Sequence, residues 1–403
     1  MEPEITLFSV IMLLGAAHGL FLALALINTR ARNGTGHFFL ALLTLTFAID
    51  LGHEFLYQSN YLLNVLVLAF VDPVINLLYG PSFYLYVRVL TDVSAFKLTG
   101  KRWLHFLPIG IGITICVMLP ELDAEQFKKL FYADQVASGK DEKVVLSTIS
   151  GIAMASIISI GIYLVLSINR LVRHARAIRQ QFSSIERINL NWLRNLLVAI
   201  SILYFVLIFG GFFSQIFGLD ENFNNLLYLM IVAAIYSMGY LGFRQPVIFT
   251  QSEVDAGKNS EAILPTTEDE ETIVVLGNAS KYKTSSLDAD MSAALRVELQ
   301  RHMETENPHL DSKLTLSQLA KQLGISSNYL SQVINEQFEK NFFDFINGYR
   351  VEEAKRMLAD SANVDSNIIS IAYDSGFNSK SAFYTAFKRY VGSTPIKYRA
   401  SLA

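Results

Sequence analysis

The chain has 403 residues, 52% of them hydrophobic and only 17% charged, with a formal net charge of −3. The charged fraction falls below the ~25% usual for soluble domains, and the near-neutral balance excludes a uniformly polycationic nucleic-acid binder. The single cysteine, Cys116, excludes an intramolecular disulfide framework and a multi-cysteine zinc site.

The charge deficit is confined to residues 1–250, while 251–403 have ordinary soluble composition. A bilayer-crossing helix needs ~20 mostly apolar residues. That criterion predicts seven spans, near 5–27, 38–58, 62–90, 103–120, 145–168, 193–217 and 224–243. The first run is long enough to be an anchor and is expected not to be a cleaved leader. The third is over-long and is broken by Asp72-Pro73 and Gly80-Pro81, so it is expected to tilt or kink. The fourth is marginal in length and contains Pro108.

Loop charges support an odd number of spans. Positive residues in short loops mark the cytoplasmic side. Arg30 and Arg32 follow span one, Arg88, Lys97, Lys101 and Arg102 flank the end of span three, and Arg170, Arg173, Arg176, Arg179 and Arg187 follow span five. The alternate loops lack basic residues or, at 121–144, carry four Lys against six acids. The N-terminus is therefore expected outside and the C-terminal third in the cytoplasm. The arginine-rich segment 169–192 reads either as a membrane-surface anchor for anionic headgroups or as a relay touching the C-terminal domain.

Ionisable residues inside a span are costly and mark function by default. Asp50, His53 and Glu54 share one face of span two by their i, i+3, i+4 spacing. Asp72 of span three lies at similar depth. These four form a candidate ligand pocket open to the outside; the competing reading is snorkelling by Glu54 and hydrogen-bonded helix glue from the others. His18 is read as a packed polar residue. No dense His/Cys cluster supports a metal site. No nucleophile elbow, phosphate loop or zinc-protease motif occurs, so neither an enzyme activity nor a cofactor is expected.

Residues 251–287 are polar and acidic, without helical period, and read as a flexible linker. A helical period begins near 288. Thr315 with Gln318 forms a capping box before LSQLAKQL, Gly324 ends that helix, and Ser326 caps SNYLSQVINEQF (327–338). Fifty-two residues later IISIAYDS precedes Gly376, and Ser379 caps KSAFYTAFKRYV (380–391). These are two helix-turn-helix units, about 315–338 and 367–391. The amphipathic helix 342–360 between them, with Phe342, Phe345, Ile346, Tyr349, Val351, Ala354 and Leu358 inward, is expected to space two recognition helices about one DNA turn apart. The predicted fold is all-α: a seven-helix transmembrane bundle, then a soluble all-helical domain.

Positions off the apolar stripes are candidate DNA contacts. The stripes are Leu330, Val333 and Ile334 in the first recognition helix, and Phe383, Ala386, Phe387 and Tyr390 in the second. This leaves Ser327, Asn328, Ser331 and Gln332 in the first unit, and Lys380, Ser381, Tyr384 and Thr385 in the second. Asn and Gln suit adenine and Lys suits guanine; Lys388 and Arg389 suit phosphates. Residues 287–403 hold 13 Lys and Arg against 14 Asp and Glu, yet 380–399 carry five basic residues and no acid.

Residues 290–403 resemble the DNA-binding domain of the AraC/XylS family of bacterial transcription regulators. The likeness rests on LSQLAKQLGISSNYLSQVI, FINGYRVEEAKRML and ISIAYDSGFNSKSAFYTAFKRYVGSTPIKYR, which closes on Gly392, Thr394, Pro395, Tyr398 and Arg399. Ile334 and Glu339 depart from the family's usual Phe and Gly. GPSFYLYVRVLT (80–91), FSSIERINLNWLR (182–194) and FRQPVIF (243–249) are similar to the seven-span portion that some such regulators carry. The resemblance implies a multi-pass protein of the bacterial cytoplasmic membrane, with double-stranded DNA, the bilayer and RNA polymerase as partners. It also implies base contacts by Lys380, Ser381, Tyr384 and Thr385. A small-molecule or protein signal is expected. A homodimer is compatible but not required, since each chain has two recognition helices. The alternatives are a transporter or membrane enzyme with a regulatory DNA-binding tail, and an anchor governed by a partner membrane protein.

Overall fold

The computed structural model describes residues 4–28, 34–92, 100–132, 139–186, 188–199, scattered positions between 201 and 240, 289–363 and 366–402. Among these the fold is all-α, with fourteen helices, short 3-10 turns and one isolated β-bridge. It divides into two compact units, 1–172 with 190–247, and 173–189 with 248–403.

In the first unit, α1 (Leu7–Asn28) and α2 (Gly34–Gln58) are long, apolar and closely packed. Their approach depends on small residues: a Cβ placed on Gly19 would lie 3.1 Å from the Cβ of Ala48. Such contacts let helix backbones associate where no hydrophobic effect drives them together. His18 packs edge-on against Tyr236, with ring centroids 4.5 Å apart.

The third expected span is segmented. Two 3-10 turns (Tyr61–Asn64, Leu66–Phe70) precede α3 (Val71–Ile75), a further 3-10 turn (Asn76–Leu78) and α4 (Tyr79–Thr91). Pro73 and Pro81 each fall in the first turn of a helix, where a missing N–H costs nothing. Short 3-10 turns interrupt the run, while Phe70, Asn76 and Leu78 at the joins keep right-handed helical backbone. Past α4, Arg170 bonds Thr91 at 2.6 Å and pairs with Asp92, tying the end of this span to α7 (Lys140–Gln181).

Four stretches among the described residues are long and apolar enough to cross a membrane, Leu7–Asn28, Gly36–Gln58, Leu66–Thr91 and Lys140–Gln181. They coincide with the first, second, third and fifth of the seven expected spans. The fourth expected span yields α5 (Leu107–Val117), 11 residues opened by Pro108 after a 3-10 turn. At 1.5 Å per residue, that α-helix spans only about half of a ~30 Å hydrocarbon core. The sixth and seventh expected spans fall mostly outside the described residues, as do the 251–287 linker and Arg187. A short capped helix, α6 (Ala124–Phe131), follows α5.

The second unit contains α8 (Ala289–Thr305), α9 (Leu316–Gln322), α10 (Ser327–Gln337), α11 (Phe342–Ala359), α12 (Ile368–Asp374), α13 (Lys380–Val391) and α14 (Pro395–Ala400). It has two hydrophobic cores, and α11 serves both. Phe342, Phe345 and Ile346 enter the first with Leu319, Leu330 and Val333. Val351, Ala354 and Leu358 enter the second with Ile371, Phe383 and Phe387. Six of the seven inward positions expected of this helix are buried; Tyr349 is half-buried.

Candidate nucleic-acid interface

Each helix pair is built by local signals. In the first, the backbone N–H of Gln318 donates to the Thr315 hydroxyl at 3.3 Å, and the Gln318 side chain accepts from the Thr315 N–H at 2.8 Å. Gly324 turns the chain at φ +67°, and the Ser326 hydroxyl caps α10 by accepting from the Tyr329 N–H at 3.2 Å. In the second, Asn367 caps α12, Gly376 turns at φ +88°, and Ser379 caps α13 by accepting from the Ala382 N–H at 3.2 Å. Thr394 caps α14. The sequence reading named these caps and turns except the caps Asn367 and Thr394.

The recognition helices present most of the expected face. On α13, Lys380, Ser381, Thr385, Lys388 and Arg389 are exposed. Tyr384 is half-buried against the second core, and the Lys380 ammonium lies 5.5 Å from its ring centroid, a cation–π geometry. Arg389 is engaged within the domain, pairing with Asp344 at 2.8 Å. Tyr390, expected in the core stripe, is 37% exposed, and its hydroxyl donates to the Asp344 carbonyl at 2.9 Å. A phenol at a core margin settles where its O–H finds a partner.

On α10, Asn328 is exposed while Ser327 and Ser331 are half-buried. Gln332 is only 7% exposed and donates to Glu336 at 3.1 Å. Its expected outward exposure is not what the structure shows. Helical period fixes which side meets the helix's own core and is silent on what covers the other side. Ile334 is fully packed at 1% exposure. Glu339 takes a left-handed backbone, φ +54°, a conformation that costs a non-glycine residue ~1–2 kcal/mol. Glu339→Gly is therefore expected to stabilise the domain by about 0.5–1 kcal/mol after the entropy cost of glycine, measured as a rise in its thermal midpoint.

The most deeply buried cation escaped the sequence reading. Arg350 of α11 is 0% exposed, and all five of its N–H donors are used. Nε donates to the His309 carbonyl at 2.8 Å; one terminal nitrogen serves the Ser183 carbonyl (2.9 Å) and Asn347 Oδ1 (3.3 Å); the other serves the Ser183 hydroxyl (3.0 Å) and the Asp311 carbonyl (2.8 Å). Burial pulls its pKa down to about 10, opposed by Glu186 and Asp311, so it stays a cation at neutral pH. No DNA contact is open to it; it braces the backbone on which the recognition helices stand.

The polar residues expected in the first unit do converge. Asp50 interacts with Asp72, Tyr79 and Glu54, and His53 feels the charge of Asp72. Asn76 donates to Asp72 at 3.3 Å and Gln58 to Glu54 at 2.9 Å. Tyr79 and Gln58 are additions to the expected set. Among the described residues no group of three or more His, Cys, Asp or Glu could hold a metal ion.

The family comparison falls in the second unit. A family model described as "Helix-turn-helix domain" matches residues 319–401. The melibiose operon regulatory protein of Escherichia coli (strain K12) is 30% identical over 89 residues, 22% of this chain and 28% of that protein. An uncharacterized HTH-type transcriptional regulator of Staphylococcus aureus (strain COL) is 35% identical over 91 residues, 23% of this chain and 12% of that one. The chain thus spans less than a third of the curated relatives it matches. Among solved structures, the C-terminal domain of the two-component response regulator yesN from Fusobacterium nucleatum is 33% identical, with 26% of this chain and 98% of that one covered at a TM-score of 0.24. A protein of unknown function from Listeria innocua is 28% identical, with 27% and 97% covered at the same TM-score. With the two capped helix pairs and the family match, residues 319–401 form a helix-turn-helix domain, similar over this part to proteins named as regulators.

Proposed function

We propose that the chain is a membrane-embedded one-component transcription regulator. Its N-terminus lies outside, seven spans cross the bacterial cytoplasmic membrane, and the C-terminal domain reads duplex DNA in the cytoplasm. The observation that carries this reading is the tandem of capped helix–turn–helix units, in a stretch similar to a protein named as an operon regulator. Ser327, Asn328 and Ser331 of α10 and Lys380, Ser381, Tyr384 and Thr385 of α13 read bases; Lys388 meets phosphates, and Arg389 does so on leaving Asp344. Gln332 joins them only if its cover is removed. The cluster of Asp50, His53, Glu54 and Asp72 receives the input, a small molecule or protein at the outer side. DNA, the bilayer and RNA polymerase are its partners.

The test is promoter occupancy by the full chain in cells, at targets found by comparing transcripts with and without the gene. Lys380→Ala with Thr385→Ala removes two exposed contacts at ~1–3 kcal/mol each. Occupancy should fall at least about tenfold while the protein stays in the membrane fraction. Asp50→Asn should keep basal occupancy and alter its response to the inducing condition. Unchanged occupancy in the double variant would sink the DNA assignment; an unaltered response in Asp50→Asn would remove the pocket.

A further inference from the structure

The stretch that follows α7 belongs to the second unit, although in sequence it lies between two expected spans. It is seated on the DNA-binding domain by polar contacts of close geometry. Phe182 forms an antiparallel bridge with Thr315. The Ser183 N–H donates to the Leu314 carbonyl at 3.3 Å, and its hydroxyl donates to the same carbonyl at 2.6 Å. The Ser184 hydroxyl donates to the Ser312 carbonyl at 2.7 Å. Ser183 is 1% exposed and supplies two of the five acceptors of Arg350. The Glu186 carboxylate accepts from the Asn378 side chain at 3.0 Å. One turn earlier on α7, the Arg179 guanidinium sits 5.9 Å from the centroid of Phe343. The buried Ser183 hydroxyl and Arg350 guanidinium, each with its partners in place, mark a fitted contact.

These contacts reach three separate parts of the domain: the segment leading into α9, the helix α11 that serves both cores, and the turn before α13. Glu186 has a particular place among them. Its partner Asn378 stands two residues ahead of the first residue of α13, the end of a recognition helix that favours DNA phosphates. A carboxylate held there repels a phosphate and competes for the same N-terminal field.

We propose that residues 182–186 form an intramolecular clip that holds the DNA-binding domain in a low-affinity state, and through which α7 acts on it. The occupant of this surface is the chain's own juxtamembrane segment. The signal then bypasses the 251–287 linker, and release of the clip frees both helix-turn-helix units at once. The proposal rests on the transcription-regulator reading, but its physical half is testable without DNA.

The experiment uses the full chain in native membrane vesicles with Cys116 replaced by Ser. Bridged antiparallel partners bring Cβ atoms to about 4.5–5.5 Å, close to disulfide reach. Phe182→Cys with Thr315→Cys should therefore cross-link under mild oxidant, and the locked form should bind promoter DNA at least fivefold more weakly than the reduced form. Separately, Glu186→Ala with Ser184→Ala, which leaves both Ser183 acceptors of Arg350 in place, should raise promoter occupancy at least fivefold. Ten Gly/Ser residues inserted in the linker should leave occupancy within twofold. Absence of the cross-link overturns the clip whatever the DNA result. A cross-link with unchanged or reduced occupancy in Glu186→Ala/Ser184→Ala overturns the low-affinity assignment. Failure of the DNA reading itself is read independently, from Lys380→Ala/Thr385→Ala.

Discussion

Arg350→Met is expected to destabilise the C-terminal domain by about 3–5 kcal/mol: five hydrogen bonds from a charged donor, worth ~1.5–3 kcal/mol each, are lost while the cost of burying the charge is recovered. Met approximates the stem volume, so the loss is of donors and not of packing. The His309 carbonyl would then be buried without a partner, while the Ser183 and Asp311 carbonyls would keep only Asn347 and the Leu314 N–H. At ~4–8 °C per kcal/mol for a domain of this size, the thermal midpoint should fall by more than about 10 °C, read by protease resistance of the C-terminal fragment in the solubilised full chain. Arg350→Lys should recover little of it. One ammonium with three donors cannot span acceptors on three chain segments. A midpoint within about 4 °C of wild type for Arg350→Met would show that these bonds contribute little net stability.

Gly376→Ala should cost the same domain about 3–4 kcal/mol by a different route. Gly376 has φ +88°, and a Cβ there would meet the His309 carbonyl oxygen at 2.3 Å and the Leu310 Cα at 2.9 Å. The left-handed backbone alone costs an L-residue ~1–2 kcal/mol, and overpacking against atoms that cannot rotate aside adds ~1–3. Gly324→Ala is the internal control. Its φ is +67°, but open space surrounds the Cβ position, so only the conformational cost applies. Thermal midpoints of the two variants should differ clearly, with Gly376→Ala the lower. Equal losses would mean that the 308–310 turn moves aside at no cost.

Both predictions turn on the same few atoms, and only one was legible in the sequence. The turn glycines, the Thr315–Gln318 box and the caps at Ser326 and Ser379 act over three or four residues, so their spelling is their geometry. Arg350 is different. A charged residue in an amphipathic helix is expected at the surface, and its acceptors lie 41, 39 and 167 residues away in sequence. The same limit hid Tyr79 beside Asp50, and the cover over Gln332. The breaks at Asp72-Pro73 and Gly80-Pro81 in the third span were legible in the sequence; the 3-10 turns between its short helices were not. The grouping of Asp50, His53 and Glu54 on one face followed from helical spacing. Its meeting with Asp72 depends on how two segments pack, which period cannot report.

Of the thirteen Lys and Arg in 287–403, five are engaged within the domain and fourteen acids oppose the rest. Arg301 pairs with Glu298, Lys355 with Glu352, Arg356 with Glu353 and Arg389 with Asp344, while Arg350 is enclosed. Sequence-independent adhesion to duplex DNA comes almost wholly from free basic groups displacing condensed counterions. On the proposed reading this domain would slide off arbitrary sequence quickly. A protein confined to a membrane samples only the stretches of chromosome that drift past it, and one that does not linger on the wrong stretch stays available for the right one.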